Sequence, residues 1–192
     1  MKYALLSVYD KTGIVELANH LVANGYTILS SGGTYEKLEE SGIGLHKIRI
    51  EDYTGFPEIM GGRVKTLHPK IHGGILGDRH EHDIRGIEWI DIVVVNLYPF
   101  KTTIENLSST VSEAIEQIDI GGTSLLRAAA KNFMYVTAVC DIDDYGDLIC
   151  ELPEPSLAFR KKMAFKVFKN TSQYDLEIAN WFSNKLYEKL RI

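Results

Sequence analysis

KYALLSVYDKTGIVELANHLVANGYTILSSGGT, residues 2–34, contains a complete strand–helix–strand unit. The apolar run Tyr3–Leu6 is too short for a helix and predicts a buried strand over Lys2–Tyr9. Apolar residues then recur at helical spacing over Ile14–Val22, the pattern of an amphipathic helix. Tyr26–Ser30 predicts a second strand. Two such strands joined by a crossover helix indicate a parallel sheet.

The same alternation continues through the rest of the chain. Ile90–Leu97 contains the strongest strand pattern, and Met134–Val139 predicts a further strand. Val111–Ile118 and Ser124–Lys131 have helical spacing. The intervening segment Asp52–Gly77 is rich in Gly and Pro and shows little periodicity, so we expect a long loop, which in a compact domain is usually functional.

The C-terminal part of the sequence is helical in pattern after Pro153 and Pro155. One apolar face of this helix is formed by Tyr174, Ile178, Trp181, Phe182 and Leu186. We therefore expect one domain over residues 1–192 with an α/β fold, a mostly parallel sheet flanked by helices. Its core covers about residues 1–150, and a helical C-terminal extension covers about residues 153–192.

Composition restricts the classes of partner. The net charge of −5 argues against broad binding to nucleic acid or to an anionic membrane, although a local basic cluster can still hold a small anion. Cys140 and Cys150 are too few for a zinc ribbon or a disulfide framework, and we expect both to be buried and reduced. Without a signal peptide or an apolar run of ~20 residues, the expected compartment is the cytoplasm.

Three polar segments are expected at the carboxyl ends of strands, where open parallel sheets bind their ligands. They are Tyr9-Asp10-Lys11-Thr12-Gly13, Ser31-Gly32-Gly33-Thr34 and Asn96-Leu97-Tyr98-Pro99-Phe100. The first two precede helices, whose free N–H groups favour an anion, and glycine lets a phosphate approach closely. Either loop alone is compatible with a simple capped turn. Together they predict a phosphate or nucleotide site, but neither matches the ATP or NAD fingerprint.

A basic segment, Gly61-Gly62-Arg63-Val64-Lys65-Thr66-Leu67-His68-Pro69, places two cations close together. From composition alone it is either a solvated loop or a ligand-binding loop. His68 and His72 are four residues apart, as in some zinc sites, but Pro69 and Gly73-Gly74 argue against the helix that such a pair needs. We expect no metal here.

A third motif, Asp119-Ile120-Gly121-Gly122-Thr123, leads into a helix that ends at Ala129-Ala130-Lys131-Asn132. Asp119 is either a helix cap or a catalytic carboxylate. Lys131 is either a favourable charge at the helix end or, when buried, a proton-transferring group. The residues themselves leave both alternatives open.

In this order and spacing, these motifs resemble the N-terminal inosine monophosphate (IMP) cyclohydrolase domain of the bifunctional purine biosynthesis protein. The resemblance extends from Ala4 to about Leu186. It implies a methylglyoxal synthase-like fold and closure of the formylated imidazole carboxamide ribotide (FAICAR) to IMP, the last step of purine biosynthesis, without a cofactor. The family's formyltransferase domain is absent from this sequence, so no folate is expected. A homodimer is a family-level expectation.

The resemblance also implies roles for individual residues. Lys65 and Tyr98 lie near the formyl oxygen, while Asp119 and Lys131 handle protons at the carboxamide and the departing water. One departure is Tyr9, which occupies a position where the family usually has Ser. The implied substrate-binding residues are Tyr9, Asp10, Lys11, Thr12, Gly13, Ser31, Gly32, Gly33, Thr34, Arg63, Val64, Thr66, Val95, Asn96, Ile120 and Gly121.

Two other functions remain as alternatives on the same fold. A methylglyoxal synthase-like lyase also binds a small phosphate ester but has no obvious need for Tyr98 and Lys131. A non-catalytic nucleotide-binding module needs the phosphate loops but not Lys65, Asp119 and Lys131.

Overall fold

In the computed structural model, which describes residues 1–80, 86–106 and 108–189, the centre of the fold is a five-stranded parallel sheet. The order of the strands in the sheet is β3-β2-β1-β4-β5, and every neighbouring pair is parallel. The α/β class predicted from the sequence is therefore confirmed. The strands are β1 (Lys2–Val8), β2 (Tyr26–Ser30), β3 (Lys47–Arg49), β4 (Ile90–Asn96) and β5 (Thr137–Val139).

Helices cover both faces of this sheet. They are α1 (Ile14–Ala23), α2 (Gly32–Glu40), α3 (Ile50–Thr54), α4 (Pro69–Leu76), α5 (Phe100–Glu105), α6 (Val111–Glu116), α7 (Ile120–Lys131), α8 (Tyr145–Glu151) and α9 (Leu157–Lys189). Helices α4 and α7 pack on one face, and α1 and α8 pack on the other. Helix α9 contributes to both apolar cores, with Val167 in the first and Met163 in the second. None of the helices in the described ranges is long and apolar enough to cross a membrane.

The central strands β1 and β4 are buried because both of their faces are covered. Leu5 and Leu6, neighbours in β1, are fully buried in opposite cores, as the alternation of a strand requires. Strand β1 pairs with β2 on one side and with β4 on the other. The strand order therefore reverses at β1, and the carboxyl ends of these three strands meet at a topological switch point.

Four of the strongly periodic elements were predicted to within one residue at their ends, whereas α7 begins four residues earlier and β5 three residues later than predicted. Helix α1 and strands β1, β2 and β4 are confirmed at these boundaries. The short elements β3, α3, α5 and α8 were not predicted, because three to seven residues of mixed polarity carry little periodicity. The cysteines are both unpaired, and Cys140 is buried as expected, whereas the prediction for Cys150 was wrong because it lies exposed on α8.

Two predicted loops are in part helical. Ser31 is the N-cap of α2, whose first turn contains the glycines that follow it. The loop expected over Asp52–Gly77 contains α4, so the argument against a helix at Pro69 was wrong. Proline is compatible with a first helical turn, and the His68 imidazole accepts a hydrogen bond from the Lys70 N–H at 3.1 Å. Even so, the described residues contain no group of three or more His, Cys, Asp or Glu side chains suited to a metal ion.

The apolar face predicted for the C-terminal helix packs beneath α5. Tyr174 is buried with Phe100, and Ile178 and Trp181 pack against the same cluster. Phe182 is largely exposed, and the side chain of Leu186 lies outside the described part of the chain.

Helix α4 packs closely against the segment that precedes β4, because it has a glycine at the point of contact. A Cβ at Gly74 would clash with the backbone oxygen of Glu88, and a backbone atom cannot move aside as a flexible side chain can. We expect Gly74→Ala to lower the free energy of unfolding by about 1–3 kcal/mol, as overpacking does. Urea unfolding measures this change.

The matched control is Gly146→Ala in α8, where nothing lies within 4 Å of the added Cβ. Alanine favours a helix over glycine, so this variant is expected to be neutral or more stable by up to about 1 kcal/mol. Equal effects of the two substitutions would contradict the proposed packing constraint.

Candidate active site

A cleft of about 500 Å³ lies at the switch point, between the carboxyl ends of β1, β2 and β4 and the first turns of α2 and α7. Its size suits a nucleotide-sized ligand. The lining residues are Ser7, Val8, Tyr9, Lys11, Ser31, Gly33, Thr34, Gly61, Gly62, Arg63, Lys65, Thr66, Asn96, Tyr98, Ile115, Glu116, Ile118, Asp119, Ile120, Gly121 and Gly122.

Asn96, the last residue of β4, holds the loop that follows β1. Its Oδ1 accepts hydrogen bonds from the backbone N–H groups of Tyr9 (2.7 Å) and Asp10 (2.9 Å), and its Nδ2 donates to the Asp10 carbonyl at 2.8 Å. The Asp10 carboxylate in turn accepts the Thr12 N–H at 2.9 Å, and hydrogen bonding from Thr12 lowers the pKa of Asp10. Much of the hydrogen-bonding capacity of the Asn96 amide is therefore used to shape the wall of the cleft.

One end of the cleft is built to attract an anion. Ser31 caps α2, and its buried Oγ has no hydrogen-bond partner among the described residues. A side chain at Gly33 would begin 3.3 Å from Lys11 Cε, and one at Gly32 would begin 3.6 Å from Lys65 Nζ. Two lysines, a free hydroxyl and the unpaired N–H groups of a helix start therefore lie close together, an arrangement that favours a phosphate.

Thr34 has a structural role in the same region. Its Oγ1 donates to the Val8 carbonyl and accepts from the Val8 N–H, each at 3.0 Å. This hydroxyl ties the start of α2 to the end of β1. It brings the helix N-terminus to the cleft, although the sequence placed Thr34 among the groups that bind substrate.

The other end of the cleft contains the carboxylate of Asp119, the N-cap of α7. Oδ1 accepts the Gly122 N–H at 2.6 Å. Burial raises the pKa of Asp119 above its ordinary value, against the opposing effects of the Gly122 hydrogen bond and the Lys65 charge. Position 122 requires glycine, since a Cβ there would begin 2.5 Å from Asp119 Oδ2.

Two aromatic rings form one wall of the cleft. The centroids of Tyr9 and Tyr98 lie 5.1 Å apart at an interplanar angle of 55°, and both rings are partly exposed. The Tyr9 carbonyl accepts a hydrogen bond from Lys11 Nζ at 3.1 Å. Tyr9 thus contributes a ring to the wall and a carbonyl that holds the lysine.

Arg63 and Glu116 form an ion pair across the mouth of the cleft. Both side chains are largely exposed, and such pairs contribute only about 0–1 kcal/mol. Arg63 follows a tight turn in which Met60 has a positive φ of 56° and Gly62 a φ of 91°. A bound anion can therefore replace Glu116 as the partner of Arg63 at little cost.

Most of the residues predicted from the sequence lie together on this cleft. They are Tyr9, Lys11, Ser31, Gly33, Thr34, Arg63, Lys65, Thr66, Asn96, Tyr98, Asp119, Ile120 and Gly121.

A second group of predicted residues is not on the lining. Gly13 begins α1, Val64 is paired with Ile59 in a small turn, and Val95 is buried in the core. The residues outside the lining are Asp10, Thr12, Gly13, Gly32, Val64, Val95 and Lys131.

Lys131 lies apart from the other predicted catalytic residues of this chain. Asp119 and Lys131 lie at opposite ends of α7, about 18 Å apart along the axis at the usual helical rise. Lys131 is exposed there. The structure therefore does not bring the two predicted proton-handling residues together within one chain.

Several lining residues were not assigned from the sequence. Ser7 and Val8 belong to the end of β1. Gly122 is part of the motif over residues 119–123, but it was assigned no role from the sequence. Ile115, Glu116 and Ile118 had no sequence signal, because nothing local indicates that α6 and the residues after it fold over the cleft.

The fold and this cleft define an α/β domain with a cleft at a switch point, lined by groups that favour an anion and by a partly buried carboxylate. The comparisons with known proteins agree with this class. Residues 13–124 match the model of the MGS-like domain, and residues 129–191 match that of the AICARFT/IMPCHase bienzyme. The chain belongs to the MGS-like domain family.

The relatives that it matches include bifunctional purine biosynthesis proteins PurH. The protein from Enterococcus faecalis is 50% identical over 196 residues, and that from Lactobacillus acidophilus is 51% identical over 195 residues. Each alignment covers 97% of this chain but only 38% of the relative. A crystal structure of ForH, 35% identical, superposes with a TM-score of 0.82 and covers 95% of this chain and 97% of that chain.

We expect the partly buried Asp119 carboxylate to lower the free energy of unfolding at neutral pH. Because its pKa is raised in the folded protein, its contribution to stability is present at low pH and is lost as the pH rises through the folded-state pKa. We expect Asp119→Asn, which keeps a capping oxygen but removes the charge, to raise the Tm at pH 7.

Thermal unfolding of the wild-type chain and this variant, measured from pH 3 to pH 8, checks the prediction. The difference in Tm should shrink towards the acidic end, where the wild-type carboxyl is already protonated. A difference that does not depend on pH would show that the carboxylate is not destabilised by burial.

Proposed function

We propose that this chain is an IMP cyclohydrolase, which closes the second ring of a purine nucleotide by converting FAICAR to IMP with loss of water. The observation that carries the proposal is the convergence of Lys65, Tyr98 and Asp119 on one cleft that also contains the anion-attracting groups at the start of α2. The PurH relatives support the same activity.

The 5′-phosphate of the nucleotide is assigned to the start of α2. There it accepts hydrogen bonds from the N–H groups of the first turn and from the Ser31 hydroxyl, which has no other partner among the described residues. Lys11 supplies positive charge on one side. With the phosphate so placed, the heterocycle extends along the cleft towards Asp119.

The reaction itself is intramolecular, so the substrate already holds its reacting atoms close together. The carboxamide nitrogen attacks the formyl carbon, and the formyl oxygen gains negative charge. Lys65 and Tyr98 stabilise that charge, and Asp119 orients the carboxamide and accepts a proton from its nitrogen. A new C–N bond forms, and the former formyl oxygen takes up two protons, equal to those lost by the carboxamide nitrogen and the formamido nitrogen. It then leaves as water as the C–O bond breaks and a C=N bond forms to the formamido nitrogen.

The raised pKa of Asp119 suits this role. A carboxylate with its ordinary pKa is a weak base near neutrality, and desolvation makes it more basic. The nearby Lys65 charge keeps the carboxylate ionised.

An absorbance assay of the purified chain with FAICAR, with no added metal or folate, tests the function. We expect IMP formation above the uncatalysed rate, and a loss in kcat of about a hundredfold or more in Lys65→Ala and Asp119→Asn. Lys162→Ala is the control, because Lys162 does not line the cleft and forms an exposed ion pair with Asp147 of α8.

Nucleotide binding without turnover would instead indicate a non-catalytic binding module. Release of phosphate from a triose phosphate would indicate a methylglyoxal synthase-like lyase. Either result, without IMP formation, would overturn the cyclohydrolase proposal.

We further propose that the chain acts as one domain over residues 1–192, in the cytoplasm and as a homodimer. The dimer bears on Lys131, whose proposed catalytic role conflicts with its position about 18 Å from Asp119 in the same chain. The catalytic role of Lys131 is compatible with this distance if Lys131 of one copy in the homodimer acts in the cleft of the other copy.

A complementation experiment tests this arrangement. Lys65→Ala and Lys131→Ala chains are each expected to be nearly inactive alone. After subunit exchange, the mixture should regain up to about a quarter of the wild-type activity, because half of the dimers are mixed and each then has one intact site. Full activity of Lys131→Ala alone, or no recovery on mixing, would contradict a contribution from the second copy.

A further inference from the structure

The Tyr174 hydroxyl lies outside the cleft but bridges the two sides of the turn that carries Asp119. It donates a hydrogen bond to the Gln117 carbonyl at 2.7 Å and accepts one from the Asp119 N–H at 2.9 Å. The partners are 57 and 55 residues away in the sequence. A single hydroxyl of α9 thus holds the turn between α6 and α7.

The ring that carries this hydroxyl is itself fixed. Tyr174 is buried, and its ring meets Phe100 edge-on at a centroid distance of 6.3 Å. Phe100 is fully buried and meets Trp181, also of α9, at 5.8 Å and 88°. Edge-to-face packing of this kind defines the orientation of the rings as well as their distance.

The aromatic cluster of Phe100, Tyr174 and Trp181 also contacts the segment that carries Tyr98. The Phe100 N–H donates a hydrogen bond to the Tyr98 carbonyl at 2.9 Å. The segments that present Tyr98 and Asp119 to the cleft are therefore both anchored on α9 through Phe100 and Tyr174.

We propose that Tyr174 is a positioning residue for the ring closure, which holds the Asp119 carboxylate at the substrate through the hydrogen-bonded turn. The inference rests on the proposed function for its kinetic consequence. Burial raises the pKa of Tyr174 to about 12, so its hydroxyl keeps the proton that it donates to Gln117 throughout the neutral range.

Tyr174→Phe is the direct test, since it keeps the ring and removes only the hydroxyl. We expect kcat for FAICAR to fall about tenfold, because small displacements of a catalytic group are costly, while KM changes by less than about twofold. Phosphate binding at the other end of the cleft does not depend on this turn.

The matched control is Tyr26→Phe. The Tyr26 hydroxyl donates to the Pro153 carbonyl at 2.9 Å, and the residue is as buried as Tyr174, but it lies at the opposite end of β2 from the cleft. Tyr174→Phe loses two hydrogen bonds and Tyr26→Phe loses one, and both variants are expected to lose some stability. Only Tyr174→Phe should lose turnover. Equal kcat values for the two variants would overturn the inference.

A second measurement is independent of turnover. We expect the Asp119 pKa, followed by carbon-detected NMR titration of its carboxyl group, to fall towards its ordinary value in Tyr174→Phe, as water reaches the released carboxylate. In Tyr26→Phe it should match the wild-type chain. If the wild-type chain does not convert FAICAR, the proposed function is wrong, and the titration alone then tests the role of Tyr174. An Asp119 pKa that is unchanged in Tyr174→Phe would overturn that role.

Discussion

The parallel pairing of β1 with β2 on one side and with β4 on the other is the constraint on which the rest of this structure depends. Leu6 pairs with Ser30 and Val8 pairs with Asn96, so β1 and β4 end at the same level and β2 ends two residues earlier at the same edge of the sheet. Each end must be followed by polar loops, because the strands themselves are buried on both faces. The cleft is the space between those loops.

Hydrogen bonds between the strand ends give this space its shape. The Asn96 amide fixes the loop after β1, and the Thr34 hydroxyl fixes the start of α2 against Val8. Both groups use their polar atoms on the backbone rather than leaving them free for a ligand. Ser31 is the exception, and a buried hydroxyl without a partner typically costs about 1–3 kcal/mol. Such a cost is expected at a binding site, where a ligand supplies the missing partner.

The sequence predicted the sheet, its polar edge and most of the cleft, because these follow from local patterns. The helix over Ile14–Ala23 has one apolar stripe, and β4 contains the apolar run Ile92–Val95. Helix α4 was missed because Gly73 and Gly74 resemble loop residues, and only the packed structure shows that they allow the close approach of the helix to Ile87 and Glu88. Local pattern contains no information about such contacts.

The role of Lys131 shows a different limit. Asp119 and Lys131 are joined by one predicted helix, and the same prediction implies that they lie about 18 Å apart. The resemblance assigned them to one reaction, but neither motif order nor spacing shows whether two residues of a site come from one chain. That question requires the assembly.

Helix α9, the C-terminal extension, has two roles. It completes the apolar cores of the fold, and it supports the residues of the cleft. Residues 13–124 match the MGS-like domain, and α9 lies in the part matched by the bienzyme model. Its apolar residues complete both cores, and its Tyr174 hydroxyl holds the turn before α7. The Asp119 carboxylate is kept partly buried, which destabilises its charged form and makes it a stronger base. A carboxylate held in that state needs a rigid turn, since a mobile one would relax into water. The aromatic packing of α9 against Phe100 provides that rigidity from outside the cleft.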